Sequence, residues 1–77
     1  MPEFVEDALA SHGLWETYLG RPAYQRNDYI GWITGGRQEA TRRRRLEQML
    51  EELRRGDRYM GMSWRPRQSP SSPSADP

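Results

Sequence analysis

Several residue types that support common protein chemistries are absent or scarce in this sequence. It contains no cysteine, which excludes disulfides and thiolate metal sites and favours a reducing compartment. Its one histidine, His12, leaves little from which to build a metal site or a histidine-activated nucleophile. No apolar run approaches the roughly 20 residues of a membrane-spanning helix, and no secretory leader pattern is present. We therefore expect a cytoplasmic protein with no transmembrane segment, no metal and no cofactor.

The sequence also offers no recognisable set of catalytic residues. Lysine is absent, so no glycine-rich phosphate loop can end in one. Glu51 and Glu52 are adjacent, and neighbouring residues of a helix point apart. We interpret them as a solvated face of a helix and not as an acid/base pair. The expectation is that the protein is not an enzyme.

Apolar residues recur at helical spacing in four places, separated by the turn signals "SHG", "GRP" and "TGG". The four apolar stripes are Phe4, Val5, Ala8 and Leu9; Leu14, Trp15, Tyr18 and Leu19; Tyr29, Ile30 and Ile33; and Leu46, Met49, Leu50 and Leu53. The last and longest helix is predicted from about Gln38 to Arg55, because Gly56 follows it. No window shows the two-residue alternation of a β-strand. The pattern predicts an all-α fold, a small bundle of three to four short helices.

Composition divides the chain into three parts. Residues 1–58 hold the helical patterns and are predicted to form the domain. Residues 59–64, "YMGMSW", are predicted to form an extended coda, which either covers an edge of the bundle through Tyr59 and Trp64 or is an exposed hook for a partner. Residues 65–77, "RPRQSPSSPSADP", are rich in proline, serine and charge, and such segments bury too little apolar surface to fold. We predict a disordered C-terminal tail.

Charge is distributed unevenly along the chain. Residues 1–20 carry four acids and no base, whereas residues 21–58 carry ten arginines against six acids. Four of these arginines are consecutive, at positions 42–45, which suggests a phosphate-binding arm. Because each residue of a helix advances by about 100°, these four side chains point in four directions and cannot form one binding face.

The same helical geometry assigns different roles to two arginines of the run. Arg42 falls within the apolar stripe of the fourth helix and is predicted to be a buried anchor, whereas Arg44 points to water. Arg26 has the equivalent place on the third helix, one turn before Tyr29. A guanidinium on a buried face needs a carboxylate or several carbonyls. Either both arginines are held by internal acids such as Asp28, or they form an anion or partner site.

The stretch "DYIGWITGGRQEATRRRRLEQMLEELRRG", residues 28–56, resembles the C-terminal helical domain of the YdeI/OmpD-associated proteins, described as bacteriocin-protection proteins. The residues that carry the resemblance are Asp28, Tyr29, Trp32, Ile33, Arg37, Thr41, Arg42, Arg44, Arg45, Leu46, Leu50 and Gly56. Over residues 3–56 it holds more loosely. Gly31, Gly35 and Gly36 depart from the family pattern, so we expect a looser joint between the third and fourth helices. The resemblance implies a small helical domain linked to protection against antimicrobial peptides and to envelope stress, often carried behind another domain.

Together these observations predict a non-enzymatic, monomeric binding domain for a protein, peptide or small molecule. Its candidate binding surface is the join of the third and fourth helices, and the candidate residues are Tyr29, Trp32, Arg37, Thr41, Arg42 and Arg45. For Trp32, a simple lid over the core is an equally good interpretation. The alternative function is a weak nucleic-acid-binding module. It would use the arginines of the fourth helix, Arg43, Arg44, Arg54 and Arg55, although the glutamates between them argue against it.

Overall fold

A computed structural model describes residues 1–64 of the protein. These residues form four helices and a two-stranded antiparallel hairpin: α1 (Glu3–Ser11), α2 (Trp15–Leu19), α3 (Ala23–Thr34), α4 (Glu39–Arg55), β1 (Arg58–Tyr59) and β2 (Met62–Ser63). The predicted small helical bundle is confirmed, and the hairpin is an element that the sequence analysis missed. The predicted disordered tail lies outside the described residues.

A proline stands directly before each of two helices. Pro2 and Pro22 immediately precede α1 and α3, and their carbonyl oxygens accept the first helical N–H groups at 3.0–3.2 Å. Both prolines occupy the N-cap position with an extended ψ of 144° and 150°, and because the N–H of this residue takes no part in the helical hydrogen bonds, its absence in proline costs nothing. Each proline therefore sets where its helix begins.

The core collects apolar side chains from all four helices and the hairpin, with α4 packed against α3, α2 and β1. Its buried members are Val5, Leu9, Leu14, Tyr18, Tyr29, Ile33, Met49, Leu50, Leu53 and Tyr59. The predicted apolar stripe of α4 is thus buried, except that Leu46 is only partly covered. Within residues 1–64, none of the helices combines the length and apolar character needed to span a membrane.

The interpretation of Glu52 as a solvated residue is wrong. Its neighbour Glu51 is exposed, but Glu52 is only 5% exposed. The reason is that the hairpin folds over the side of α4 that carries Glu52. The buried arc of α4 is therefore wider than its apolar stripe, because Met60 and Gly61 of the hairpin also cover Glu52.

Arg42 and Arg26 do not have the environment that was predicted for them. Arg42 is half-buried, and its Nη1 donates to the Gly36 carbonyl oxygen at 2.8 Å. Arg26 is likewise half-buried, and its Nε donates to the Arg21 carbonyl oxygen at 3.1 Å. Neither forms an ion pair with an acid within residues 1–64. Loop carbonyls, and not internal carboxylates, hold both side chains, while Arg44 is exposed as predicted.

The connection between α3 and α4 is closely packed, contrary to the looser joint that its glycines suggested. Gly36 is buried, and a Cβ added there would lie 3.0 Å from Thr41 Cγ2 and 3.1 Å from Arg42 Cγ. Real Cβ atoms rarely come so close to neighbours, so glycine is the residue that lets the first turn of α4 pack against this connection.

Candidate functional site

Two of the predicted binding residues, Trp32 and Arg45, meet at the join of α3 and α4. Arg45 Nη1 donates to the Trp32 carbonyl oxygen at 2.7 Å, and its guanidinium carbon lies 5.4 Å from the centroid of the Trp32 ring. Both side chains are half-buried. Each is therefore engaged with the other, in a clamp that ties the end of α3 to α4.

The other four predicted residues occupy different environments. Thr41 and Arg42 lie against Gly36, and Arg37 is exposed in the connection. Tyr29 is fully buried, and its hydroxyl donates to Glu52 Oε1 at 2.5 Å. The structure thus brings Thr41 and Arg42 together beside the α3–α4 connection and places Tyr29 in the core.

An open groove lies between α1 and the N-terminal half of α4. It has a volume of about 410 Å³ and is lined by Phe4, Glu39, Arg42, Arg43 and Leu46. Phe4 is 42% exposed, so the core leaves part of its ring uncovered on the side of the groove. Arg42 belongs both to this groove and to the set of residues predicted from the sequence. We call these five residues the α1–α4 groove.

The charged residues of the α1–α4 groove give it an excess of positive charge. Glu39 pairs with Arg43 at 3.2 Å, and both side chains of this pair are largely exposed. Arg42 has no carboxylate within 4.0 Å among residues 1–64. The groove therefore combines two apolar lining residues, Phe4 and Leu46, with the guanidinium of Arg42, whose charge no neighbouring acid neutralises.

A shallower depression of about 340 Å³ adjoins the groove on the outer face of α4. It is lined by Glu39, Ala40, Arg43, Arg44 and Glu47, and it shares Glu39 and Arg43 with the groove. Its lining comes from α4 alone and contains no large apolar side chain, whereas the groove contains Phe4 and Leu46. We interpret it as an extension of the groove along α4.

A buried carboxylate forms a polar network that the sequence analysis missed. Glu52 Oε1 accepts the Met60 N–H at 2.8 Å as well as the Tyr29 hydroxyl, and Oε2 accepts from the Gly61 N–H at 2.7 Å and Gln48 Nε2 at 3.0 Å. Burial alone would raise the pKa of the Glu52 carboxyl, but these hydrogen bonds outweigh burial and lower its pKa. Burial and the bond to Glu52 raise the pKa of Tyr29. Glu52 is thus held ionised and Tyr29 neutral.

Arg42 was predicted to be a buried arginine. Among residues 1–64 the buried arginine is instead Arg21, which is 4% exposed. Its Nη1 donates to Gln25 Oε1 at 3.0 Å and its Nη2 to the Glu52 carbonyl oxygen at 3.1 Å. Its guanidinium carbon lies 4.3 Å from the centroid of the Trp64 ring. In the sequence Arg21 stands in the turn signal "GRP", where no helical periodicity exists to indicate its burial.

The hairpin closes over this network. Met60 and Gly61 connect β1 to β2 and both have positive φ, 52° and 80°, as the two-residue type I′ turn requires. Tyr59 is 9% exposed, and its hydroxyl donates to Asp28 Oδ2 at 2.5 Å. The segment "YMGMSW" therefore covers an edge of the bundle through Tyr59 and Trp64, which is the first of its two interpretations.

The described residues thus define a small helical domain with an open groove between α1 and α4 and an internal polar network centred on Glu52. The chain belongs to the bacteriocin-protection family, YdeI or OmpD-associated, whose model matches residues 1–56. This confirms the family resemblance recognised in the sequence. No curated protein and no solved structure shows significant similarity to the chain.

Proposed function

We propose that this protein is a non-enzymatic binding domain that serves bacteriocin protection by holding a protein or peptide partner in the α1–α4 groove. The observation that carries the proposal is the exposure of Phe4 next to Leu46 in a groove with charged sides. Binding surfaces of proteins commonly have an apolar centre and a polar rim. Because 42% of Phe4 stays exposed after folding, a partner that covers this apolar surface gains binding free energy from its burial.

Two further observations support a binding role over catalysis. Glu52 and Tyr29, which both have shifted pKa values, are buried and hydrogen-bonded to each other. A catalytic acid or base must reach its substrate. The groove itself contains a glutamate and two arginines, and its glutamate is exposed and paired with Arg43.

The groove is a better binding surface than the join of α3 and α4. At the join, Trp32 and Arg45 contact each other, so a partner would have to break that clamp before binding. In the groove, Phe4 needs no rearrangement. Arg42 is common to both surfaces and keeps its predicted role as a partner contact under this proposal.

A survival assay tests the proposal. Bacteria that are sensitive to a bacteriocin and lack their own copy of the gene would produce the wild-type chain, Phe4→Ala or Leu19→Ala. Leu19 is a matched control, because it is 44% exposed and does not line the groove. We expect protection from the wild type and Leu19→Ala and its loss in Phe4→Ala, at equal protein levels and equal melting temperatures. Full protection by Phe4→Ala would show that the groove is not the functional surface.

A further inference from the structure

We propose that the partner of the α1–α4 groove is an acidic amphipathic segment of a protein. Its apolar side chain packs on Phe4 and Leu46 while its carboxylates contact Arg42 and Arg43. This inference rests on the proposed binding function of the groove and adds the chemistry of the partner.

Charge complementarity is the first argument. The groove lining holds two guanidinium groups and one carboxylate. Glu39 pairs with Arg43, and Arg42 has no carboxylate within 4.0 Å among residues 1–64, so a positive charge remains. An acidic partner is attracted to such a surface, and a basic partner is repelled.

The acidic residues of α1 do not reverse this charge. Glu3, Glu6 and Asp7 lie on the same helix as Phe4, yet none of them lines the groove. Helical geometry explains the difference for two of them, since Glu3 and Glu6 are displaced from Phe4 by about 100° and about 160° around the helix axis. A partner in the groove therefore contacts Phe4 of α1 and the arginines of α4, while Asp7, about 60° from Phe4 around the helix axis, lies outside the lining.

Arg42 is held ready to contact a carboxylate. The bond from its Nη1 to the Gly36 carbonyl oxygen fixes the guanidinium while leaving its other N–H groups for a partner. A guanidinium can donate two parallel hydrogen bonds to one carboxylate. Arg42 is half-buried and already oriented by this hydrogen bond. Its side chain therefore loses less conformational entropy on binding than a free surface arginine would.

The apolar lining residues of the groove favour a peptide as its partner over a nucleic acid. A phosphate backbone gains nothing from covering Phe4 and Leu46, whereas the apolar side chains of a peptide are stabilised by that contact. An amphipathic helix with apolar residues on one face and carboxylates on its flanks matches both parts of the groove.

The experiment uses the full 77-residue chain and short fluorescent helical peptides with leucines at i, i+3 and i+4 spacing. Their remaining positions are glutamate, lysine or glutamine. Binding is followed by fluorescence anisotropy at low and physiological salt. We expect the glutamate peptide to bind more tightly than the glutamine peptide and the lysine peptide not to bind, with an affinity that falls as salt rises.

Two matched variants assign the charge effect to the groove. Arg43→Gln and Arg54→Gln each remove one exposed arginine that pairs with a glutamate on α4, at 3.2 Å and 2.7 Å respectively. Arg43 lines the groove and Arg54 does not. We expect Arg43→Gln to weaken binding of the glutamate peptide about two- to fivefold and Arg54→Gln to leave it unchanged.

The outcomes separate this inference from the proposed function. If the lysine or glutamine peptide binds best and Phe4→Ala abolishes that binding, the acidic partner is excluded but the groove remains a binding site. Equal effects of Arg43→Gln and Arg54→Gln would likewise exclude it. Failure of every peptide, or tighter binding to a short DNA duplex that does not depend on Phe4, overturns the inference. The survival assay with Phe4→Ala then decides the proposed function independently.

Discussion

Glu51 and Glu52 are chemically identical neighbours on α4, and only one of them faces water. Glu52 is stable in the interior because four donors surround its two oxygens and hold it ionised. Arg21, which is also buried, binds the carbonyl oxygen of the same residue. At the scale of residues, the available hydrogen-bond partners therefore decide which of the charged side chains are buried.

Replacing Glu52 by glutamine is expected to destabilise the protein by about 1–3 kcal/mol, because the new amide group presents N–H donors where Met60 and Gly61 also donate. Glu51→Gln removes the same charge from an exposed position and should change the free energy of unfolding by no more than about 0.5 kcal/mol. Urea unfolding of both variants measures the difference. Equal effects would show that the Glu52 hydrogen bonds contribute little to stability.

The arginines of the protein should rank by burial when each is replaced by alanine. Arg21→Ala leaves Gln25 and the Glu52 carbonyl without a donor and is expected to cost about 1–3 kcal/mol. Arg42→Ala loses one bond to a carbonyl at a half-buried site, so we expect about 1 kcal/mol. Arg44→Ala, at an exposed site, should fall within about 0.5 kcal/mol. A greater loss from Arg44→Ala than from Arg21→Ala in urea unfolding would contradict this order.

At the scale of elements, the hairpin is part of the folded domain although it lies beyond the matched family region, which ends at residue 56. Tyr59 contributes to the core, and the ring of Tyr59 meets that of Tyr29 edge to face at 5.4 Å. The N–H of Trp64 bonds to the Asp57 carbonyl oxygen and closes the segment. A type I′ turn with methionine at a positive φ is unfavourable by itself. The Glu52 carboxylate, which accepts both N–H groups of the turn, stabilises it.

A chain ending at Gly56 is expected to be much less stable than a chain ending at Trp64. The shorter chain loses the burial of Tyr59 and leaves the Glu52 carboxylate without two of its donors, and each loss costs on the order of 1–3 kcal/mol. Small domains have only about 5 kcal/mol of stability, so the shorter chain should melt at a far lower temperature or not cooperatively. Circular dichroism melts of the two chains, with the full chain as reference, test this expectation. Indistinguishable melts would mean that the hairpin is not needed for folding.

At the scale of the whole molecule, pH should affect stability from both sides of neutrality. The lowered pKa of Glu52 contributes stability that is complete above the ordinary value of 4.5 and is lost as pH falls through the lower folded value. The raised pKa of Tyr29 contributes stability that is complete below its ordinary value of 10.0 and is lost as pH rises above it. We expect the wild type to lose more stability than Glu52→Gln below pH 4.5 and more than Tyr29→Phe above pH 10. Parallel pH profiles of wild type and variants in urea unfolding would contradict these assignments.

The protein as a whole should bind duplex DNA only weakly. The four consecutive arginines are dispersed around α4, with Arg43 and Arg44 exposed and Arg42 and Arg45 half-buried against carbonyl oxygens. Exposed glutamates also pair with two arginines of the helix. We expect a Kd no tighter than the non-specific range of about 10⁻⁴–10⁻⁶ M at physiological salt. Nanomolar affinity, or a loss of affinity with salt that requires five or more phosphate contacts, would establish a nucleic-acid-binding surface instead.

The sequence by itself determined the helices, their boundaries at Pro2, Pro22 and Gly56, the dispersal of the arginine run and the family. These features depend on local spacing, since the period of a helix and the restricted backbone of proline act within a few residues. Only the tertiary structure decided that Glu52 and Arg21 are buried, that Arg42 is only half-buried, that residues 57–64 form a hairpin on the core, and that Phe4 lines a groove with α4. Each of these depends on residues far apart in the chain: Arg21 and Glu52 are separated by 31 positions, and so are Asp28 and Tyr59. The periodicity of one helix or strand does not indicate which distant segment of the chain will pack on it.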